Sequence, residues 1–247
     1  MSTPNTLKTA IVTGSSRGIG RAIALRLAQE GYAVVVNYAG RVEEADRVVA
    51  EIHGQSGQAI AVQADVSKKD DCIRLFAEAE HAFGQVDVLV NSAGVFHLAT
   101  IAAASDEDYH QTFNINVLGT LNTMQQAALR LRDFGRIINF STSAIAIARP
   151  GYGLYIASKA AVEQLTRVMA SELRGRNITV NAIAPGPVAT EMFLSGKSDE
   201  LIQEFAKMPP LERLGEPEDI AGVVAFLAGA DGAWINGQVL RANGGLA

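Results

Sequence analysis

The chain has 247 residues, enough for one large α/β domain with a substantial core, or for two small ones. Its 21 Lys+Arg stand against 26 Asp+Glu with no block of like charge, which excludes the basic face of a general nucleic-acid binder. A single cysteine, Cys72, excludes an intrachain disulfide and fits a reducing cytoplasm, residues 1–9 lack an apolar signal core, and the longest apolar or glycine run, residues 220–230, is too short to span a bilayer.

Taken in order, the chain alternates short apolar runs with longer stretches of helical period. Residues 9–13 read as a first strand. Residues 18–30 read as a helix, with Ile19, Ile23 and Leu27 at helical spacing. An apolar strand follows at 33–38, a helix at 42–53, a strand at 58–63 and a helix at 69–83. A strand at 87–91 precedes one long helix over 106–132. Then come a strand at 136–140, a long helix at 152–174, a strand at 178–184, a helix at 218–229 and a short last strand at 238–241. Strands without polar alternation are buried on both faces, so the sheet is parallel and covered by helices. Seven such strands with right-handed crossovers give a doubly wound α/β Rossmann fold. No linker or repeat divides it, so 1–247 reads as a single domain. The irregular stretch at about 190–215, with Met192, Phe193, Leu194, Phe205 and Met208, reads as a lid-like insertion.

Between the first strand and the first helix lies Thr13-Gly14-Ser15-Ser16-Arg17-Gly18-Ile19-Gly20. Gly14 permits a sharp turn, Gly18 a close backbone approach to a pyrophosphate, and Gly20 close helix–strand packing. Free N–H groups and the positive end of the helix dipole then face the anion. This pattern indicates a dinucleotide. An NAD site places Asp or Glu at the end of the second strand, on the ribose 2′-hydroxyl. Here that position is Asn37, followed by Tyr38, Ala39, Gly40 and Arg41. No carboxylate repels a 2′-phosphate, and Arg17 is placed to pair with one, with Arg41 a second candidate; the cofactor read from this is NADP(H). Asp65-Val66 ends the third strand, where a carboxylate meets an adenine amino group. Asn91-Ser92-Ala93-Gly94 ends the fourth, small enough for a cofactor to lie against the backbone. Pro185-Gly186-Pro187-Val188-Ala189-Thr190 ends the sixth and offers backbone groups to a carboxamide.

Tyr155 and Lys159 stand four residues apart on the long helix, hence on one face. A phenol titrates near 10, and a neighbouring ammonium stabilises its anion, making it an acid–base group. Tyr152 is the competing phenol, two turns from Lys159. Thr142, just past the fifth strand, offers a hydroxyl to a substrate oxygen. The four histidines show no metal-ligand spacing, so no metal is expected; His97 falls near the site mouth. Arg130, Arg132, Arg136, Arg174 and Arg176 are placed near the predicted entrance and read as a solvated face, with docking of an acidic carrier protein as the alternative.

With these residues in view, the sequence resembles the short-chain dehydrogenase/reductase family over roughly residues 8–245. The resemblance rests on Thr13-Gly14-x3-Gly18-x-Gly20, Asn91-Ser92-Ala93-Gly94, Asn116, Tyr155-x3-Lys159, Pro185-Gly186 and Gly244-Gly245. It looks most like 3-oxoacyl-(acyl-carrier-protein) reductases and related carbonyl reductases. It implies that Tyr155 is the acid–base residue and that Lys159 binds the nicotinamide ribose and lowers the Tyr155 pKa. It implies that Asn116, with Asn114 the neighbouring alternative, holds a water relaying protons to Lys159. The family's serine position falls on Thr142, with Ser143 the fallback, and the second asparagine of its Asn-Asn-Ala-Gly pattern is Ser92. A small carbonyl or alcohol substrate and a homotetramer are implied too, the helices around 106–132 and 152–174 forming one interface. A cofactor-sensing binding protein, or a non-redox epimerase or lyase on the same scaffold, is the alternative.

Overall fold

The computed structural model describes residues 7–247. Residues 1–6, most of the stretch read above as lacking a signal core, lie outside the described residues. The strands are β1 (Lys8–Thr13), β2 (Tyr32–Tyr38), β3 (Gln58–Gln63), β4 (Val86–Asn91), β5 (Arg136–Phe140), β6 (Thr179–Pro185) and β7 (Val239–Ala242). They form one sheet in the order β3-β2-β1-β4-β5-β6-β7, and every pairing is parallel. The order reverses between β1 and β4, which pair from Thr9 to Thr13. A cleft opens beyond the strand ends at such a switch point.

Why both faces are covered is visible in single strands. Ala10 and Val12 pack in one core with Val34, Val36, Val88 and Val90, under α1 (Gly18–Gln29), α2 (Val42–Gly54) and α10 (Pro217–Ala228). Ile11, Val35 and Leu89, the alternate residues, pack in a second core. That core lies under α3 (Lys69–Phe83), α5 (Gly119–Arg130) and α7 (Gly153–Glu172). The pleat sends successive side chains to opposite faces, so a strand apolar at every position needs a helical layer on each. The remaining helices are α4 (Asp106–Phe113), α6 (Ala144–Ile147), α8 (Glu191–Leu194) and α9 (Asp199–Lys207). Among the described residues no helix is long and apolar enough to cross a membrane.

Two expectations are corrected. The long helix over 106–132 ends at Arg130, and a π-helical turn at Asn114–Leu118 separates α4 from α5. Hydrophobic period alone does not register one extra residue in a turn. The turn α6 had no sequence signal, being a single turn of Ala and Ile. The five arginines read near the entrance lie at the opposite edge. Arg136 begins β5, and Arg174 and Arg176 precede β6, so they sit at the N-terminal ends of parallel strands. There Arg176 binds Asp133 at 2.9 Å and Arg132 lies 3.6 Å from Asp87. Carrier docking at the cleft is not available to them.

Inside the sheet, Asn91 is fully engaged. Its Nδ2 donates to Asn139 Oδ1 at 2.8 Å, and its Oδ1 accepts from Thr123 Oγ1 at 2.7 Å. Asn139 in turn donates to Thr166 Oγ1 at 2.9 Å. This buried chain ties α5, β4, β5 and α7 together, each polar atom satisfied by the next.

Candidate active site

A cavity of about 550 Å³ lies at the C-terminal ends of the strands. Its floor begins with the glycine turn. Gly14 has φ 62°, and a Cβ there would stand 2.8 Å from Ala93 Cα, so only glycine lets the turn after β1 lie against the turn after β4. Gly14, Ser16, Arg17, Gly18, Ile19 and Gly20 all line the cavity. Helix α1 starts there without a side-chain cap and with no acidic residue in its first turn. Its first N–H groups therefore have no partner within the helix and suit an anion.

The next wall comes from the ends of β2 and β3: Asn37, Tyr38, Asp65 and Val66. Asn37 is 2% exposed, and its amide is committed to the protein. Its Oδ1 accepts from Gly14 N at 3.1 Å and its Nδ2 donates to Ala64 O at 3.0 Å. This corrects its reading as the ribose-facing position: strand alternation turns the side chain inward, where it clamps the glycine turn. Asp65 Oδ1 is held by the Ser67 hydroxyl at 2.7 Å.

Beyond β4, Ala93 and Gly94 line the cavity, while Asn91 does not. Its side chain belongs to the core network described above, so its reading as a cofactor contact is corrected. Beyond β6, Pro185, Gly186, Val188 and Thr190 complete the opposite wall. Thr190 caps α8, its hydroxyl accepting from Phe193 N at 3.2 Å.

At the far end, one stripe of α7 reads the exit of β5 residue by residue. Glu163 accepts from Ser141 Oγ at 2.6 Å. Lys159 Nζ donates to the Phe140 carbonyl at 3.0 Å. Tyr155 lines the cavity with Thr142, whose hydroxyl pulls the phenol's pKa down. Spacing of four along a helix places all three on one face. Thr142 Oγ1 accepts from Ala144 N at 3.2 Å, which leaves its proton free to donate. Ser143, the fallback, is committed elsewhere. It donates to Ala184 O at 2.9 Å and accepts from Asn243 Nδ2 at 3.0 Å.

Asn116 does not line the cavity but stands behind it, fully buried. Its Oδ1 accepts from Val95 N at 2.8 Å and its Nδ2 donates to Ser158 Oγ at 3.1 Å. Asn114, the alternative, is exposed. A Cβ on Gly94 would stand 3.2 Å from Asn116 Oδ1 and 3.4 Å from Lys159 Nζ. Glycine there keeps a space between the asparagine, the lysine and the cavity.

The electrostatics differ from the sequence expectation. Burial pushes the Tyr155 phenol up to about 12, against the downward pull of the Thr142 hydroxyl. Tyr155 keeps some surface on the cavity, and water there tempers that rise. Burial takes Lys159 from 10.5 down to about 8. The ammonium is not among the causes acting on the phenol: Nζ lies 6.0 Å from the ring centroid and bonds to a carbonyl instead. The expected lowering of Tyr155 by Lys159 is thus absent from the protein alone.

A stability signature follows for Lys159. Between pH 8 and 10.5 the unfolded chain holds the lysine proton and the folded chain has released it. Stability therefore rises with pH through that window and is lowered below it. Lys159→Met should abolish this rise. Guanidinium denaturation of both chains at about pH 7.5 and about pH 10 measures it. A stability difference between the two chains that is the same at both pH values would refute the assignment.

Phe96, Ile147 and Arg149 line the cavity without having been singled out in the sequence, beside Met192, Phe193, Phe205 and Met208 of the stretch read as a lid. Phe96 packs edge-on to Tyr155 at 4.9 Å and against Tyr152 at 5.1 Å. Arg149 stacks over Phe205 at 4.6 Å. With Ile147, Met192, Phe193 and Met208 they make the pocket facing Tyr155 largely apolar. Scattered over five segments, they share no spacing that a sequence displays. His97 is not in the lining, and its Nε2 is buried without a partner. Among the described residues no group of three or more His, Cys, Asp or Glu is placed to hold a metal ion.

A dinucleotide turn, a parallel sheet of this order and a tyrosine–lysine face define a class, the nucleotide-dependent oxidoreductases of the Rossmann type. The particular family follows from comparison. Residues 14–247 match a family model described as enoyl-(acyl carrier protein) reductase. A short-chain type dehydrogenase/reductase of Picea abies is 47% identical, over 96% of this chain and 92% of its own. An NADPH-dependent aldehyde reductase-like protein of Arabidopsis thaliana is 46% identical, over 96% and 93%. A 3-oxoacyl-(acyl-carrier-protein) reductase of Staphylococcus epidermidis is 43% identical, over 97% and 98%. Among solved structures, a short-chain dehydrogenase of Burkholderia cenocepacia in complex with NADP superposes with a TM-score of 0.92 at 37% identity, covering 98% of this chain and 99% of that one. A blue fluorescent protein from a metagenomic library, in complex with NADPH, gives 0.92 at 38%, covering 99% and 100%. The chain belongs to the short-chain dehydrogenase/reductase family and is an oxidoreductase.

Proposed function

We propose that the protein interconverts a carbonyl and an alcohol with NADP(H), reducing a ketone, a 3-oxoacyl thioester or another carbonyl in the forward direction. The observation that carries this reading is that Thr142, Tyr155 and Lys159 line the cavity together, the tyrosine and lysine on one helix face. NADP(H) is the cofactor. Its fit is supported by the uncapped start of α1 and by two guanidinium groups on the cavity rim. Arg17 and Arg41 lie 2.6 and 3.8 Å from one carboxylate oxygen of Glu191, a stand-in for a bound anion. The bound nicotinamide supplies or accepts the hydride.

The other tasks fall to side chains. Thr142 and Tyr155 both direct hydroxyls at a substrate oxygen. With its pKa pushed up, Tyr155 is protonated at neutral pH and gives that proton as the oxygen gains negative charge. Lys159, anchored on Phe140 O, offers its remaining protons to the ribose and to Tyr155, and a water that Asn116 would hold returns the proton to Lys159. Phe96, Phe205 and Met208 exclude water and select an apolar substituent. The segment at about 190–215 acts as a lid, its residues Met192, Phe193, Phe205 and Met208 lying on the cavity. The whole is one domain working in the cytoplasm as a homotetramer. Leu129, Val168 and Trp234, which are 78%, 54% and 98% exposed, support burial against other copies.

The test is a panel of 3-oxoacyl thioesters, aldehydes, cyclic ketones, quinones and enoyl thioesters, followed by NADPH absorbance. Turnover of carbonyl compounds is expected. Oxidation of NADPH by the enoyl thioester alone would overturn the carbonyl reading, and none by any compound would favour a sensor or a non-redox enzyme. On an active carbonyl substrate, Thr142→Ser should keep most of kcat, and Thr142→Ala should lose most of it, about 10²-fold, by removing one donor. Full activity of the alanine variant would remove Thr142 from the mechanism.

A further inference from the structure

Glu191 had no part in the sequence reading, yet it sits between two guanidinium groups on the cavity rim. Its Oε2 lies 2.6 Å from Arg17 Nη1 and 3.8 Å from Arg41 Nη1. Arg41 has a second partner in Glu44 at 2.9 Å. Glu191 is 64% exposed in its side chain, so burial does not hold it there; the two guanidinium groups do. They belong to the dinucleotide half of the cleft, at the glycine turn and beyond β2. Glu191 is the first residue of α8, and the next two, Met192 and Phe193, line the cavity. The same carboxylate therefore bridges the cofactor half to the segment over the substrate pocket.

We propose that Glu191 is a built-in competitor of the 2′-phosphate. It occupies the slot between Arg17 and Arg41, sets how strongly the chain favours a 2′-phosphorylated dinucleotide, and releases α8 when the phosphate arrives. This rests on the reading above that Arg17 holds the 2′-phosphate. A phosphomonoester carries more charge than a carboxylate and offers three acceptor oxygens, so it wins the guanidinium groups. It must first break an existing pair, and its affinity is lowered by the strength of that pair. A dinucleotide without the phosphate leaves the pair intact and is not penalised. Glu191 thus narrows the preference for NADP(H) and links the identity of the nucleotide to the freedom of the segment above the substrate.

Titration calorimetry of the full chain with 2′,5′-ADP and with 5′-ADP, at low salt, tests this. Glu191→Gln should tighten 2′,5′-ADP about three- to fivefold, the strength of an exposed pair, and leave 5′-ADP unchanged. Hydrogen exchange of the wild-type chain supplies a measurement that needs no variant. 2′,5′-ADP should speed exchange in residues 191–207 relative to 5′-ADP. Unchanged or weaker binding of 2′,5′-ADP by Glu191→Gln, or identical exchange with the two ligands, would overturn the proposal. If the wild-type chain binds the two nucleotides equally, and Arg17→Ala changes neither, the underlying assignment of Arg17 falls, and this one with it.

Discussion

Tyr155→Phe is expected to lower kcat for carbonyl reduction by about 10²- to 10⁴-fold, the usual share of a general acid, while the Kd for NADPH stays within about twofold. The ring remains, so its edge contact with Phe96 and the fill of the cavity wall remain. What is lost is one hydroxyl, the neighbour of Thr142 on the cavity wall and the source of the proton. Tyr152→Phe provides the control. Tyr152 also lines the cavity, but it stands at the start of α7, seven residues before Lys159. Its loss should change KM more than kcat. Stopped-flow reduction of an active carbonyl, with nucleotide binding followed by fluorescence, separates the two variants. A Tyr155→Phe chain with wild-type kcat, or a larger kcat loss from Tyr152→Phe, would move the acid to another residue.

Arg17→Ala should weaken NADPH binding about 10- to 30-fold and leave NADH within about twofold. A charge-assisted contact to phosphate is strong, but Arg17 is 45% exposed in its side chain and solvent screens part of its field. The preference should shrink further as salt is added, because the contact lies on the rim rather than within the cleft. Arg41→Ala should act in the same direction with a smaller effect, since Glu44 already holds that guanidinium at 2.9 Å. Equal losses for NADPH and NADH on replacing Arg17 would assign it to the pyrophosphate instead, and the absence of a carboxylate from residues 38–41 on the rim would then be the remaining ground for NADP(H).

The legible parts of the fold were those governed by local period. The strands at 58–63 and 136–140 and the helix at 69–83 were placed to the residue, because turn signals bound them sharply. The π turn at 114–118 was not, since one extra residue in a helical turn leaves the apolar stripe almost unchanged. In the site, the glycine turn and the Tyr155–Lys159 pair were legible, because both depend on spacing within one element. Asn37 and Asn91 were misplaced for one reason: an amide at a strand end points into the cleft or into the core according to the pleat, and only packing shows which. Here Gly14 N and Asn139 claim them.

The sequence alone determined the parallel doubly wound sheet, the dinucleotide turn, the helical face carrying Tyr155 and Lys159, and the lack of an acidic anchor after the second strand. Each is a property of neighbours along the chain. Tertiary structure decided the direction of the pair's shifts, because Tyr155 at about 12 and Lys159 at about 8 reflect burial supplied by other segments. It likewise decided that Thr142 rather than Ser143 has a free hydroxyl on the cavity wall, and that a carboxylate 174 residues away sits on Arg17. Such contacts join strand ends brought together by crossovers, and no local periodicity encodes them.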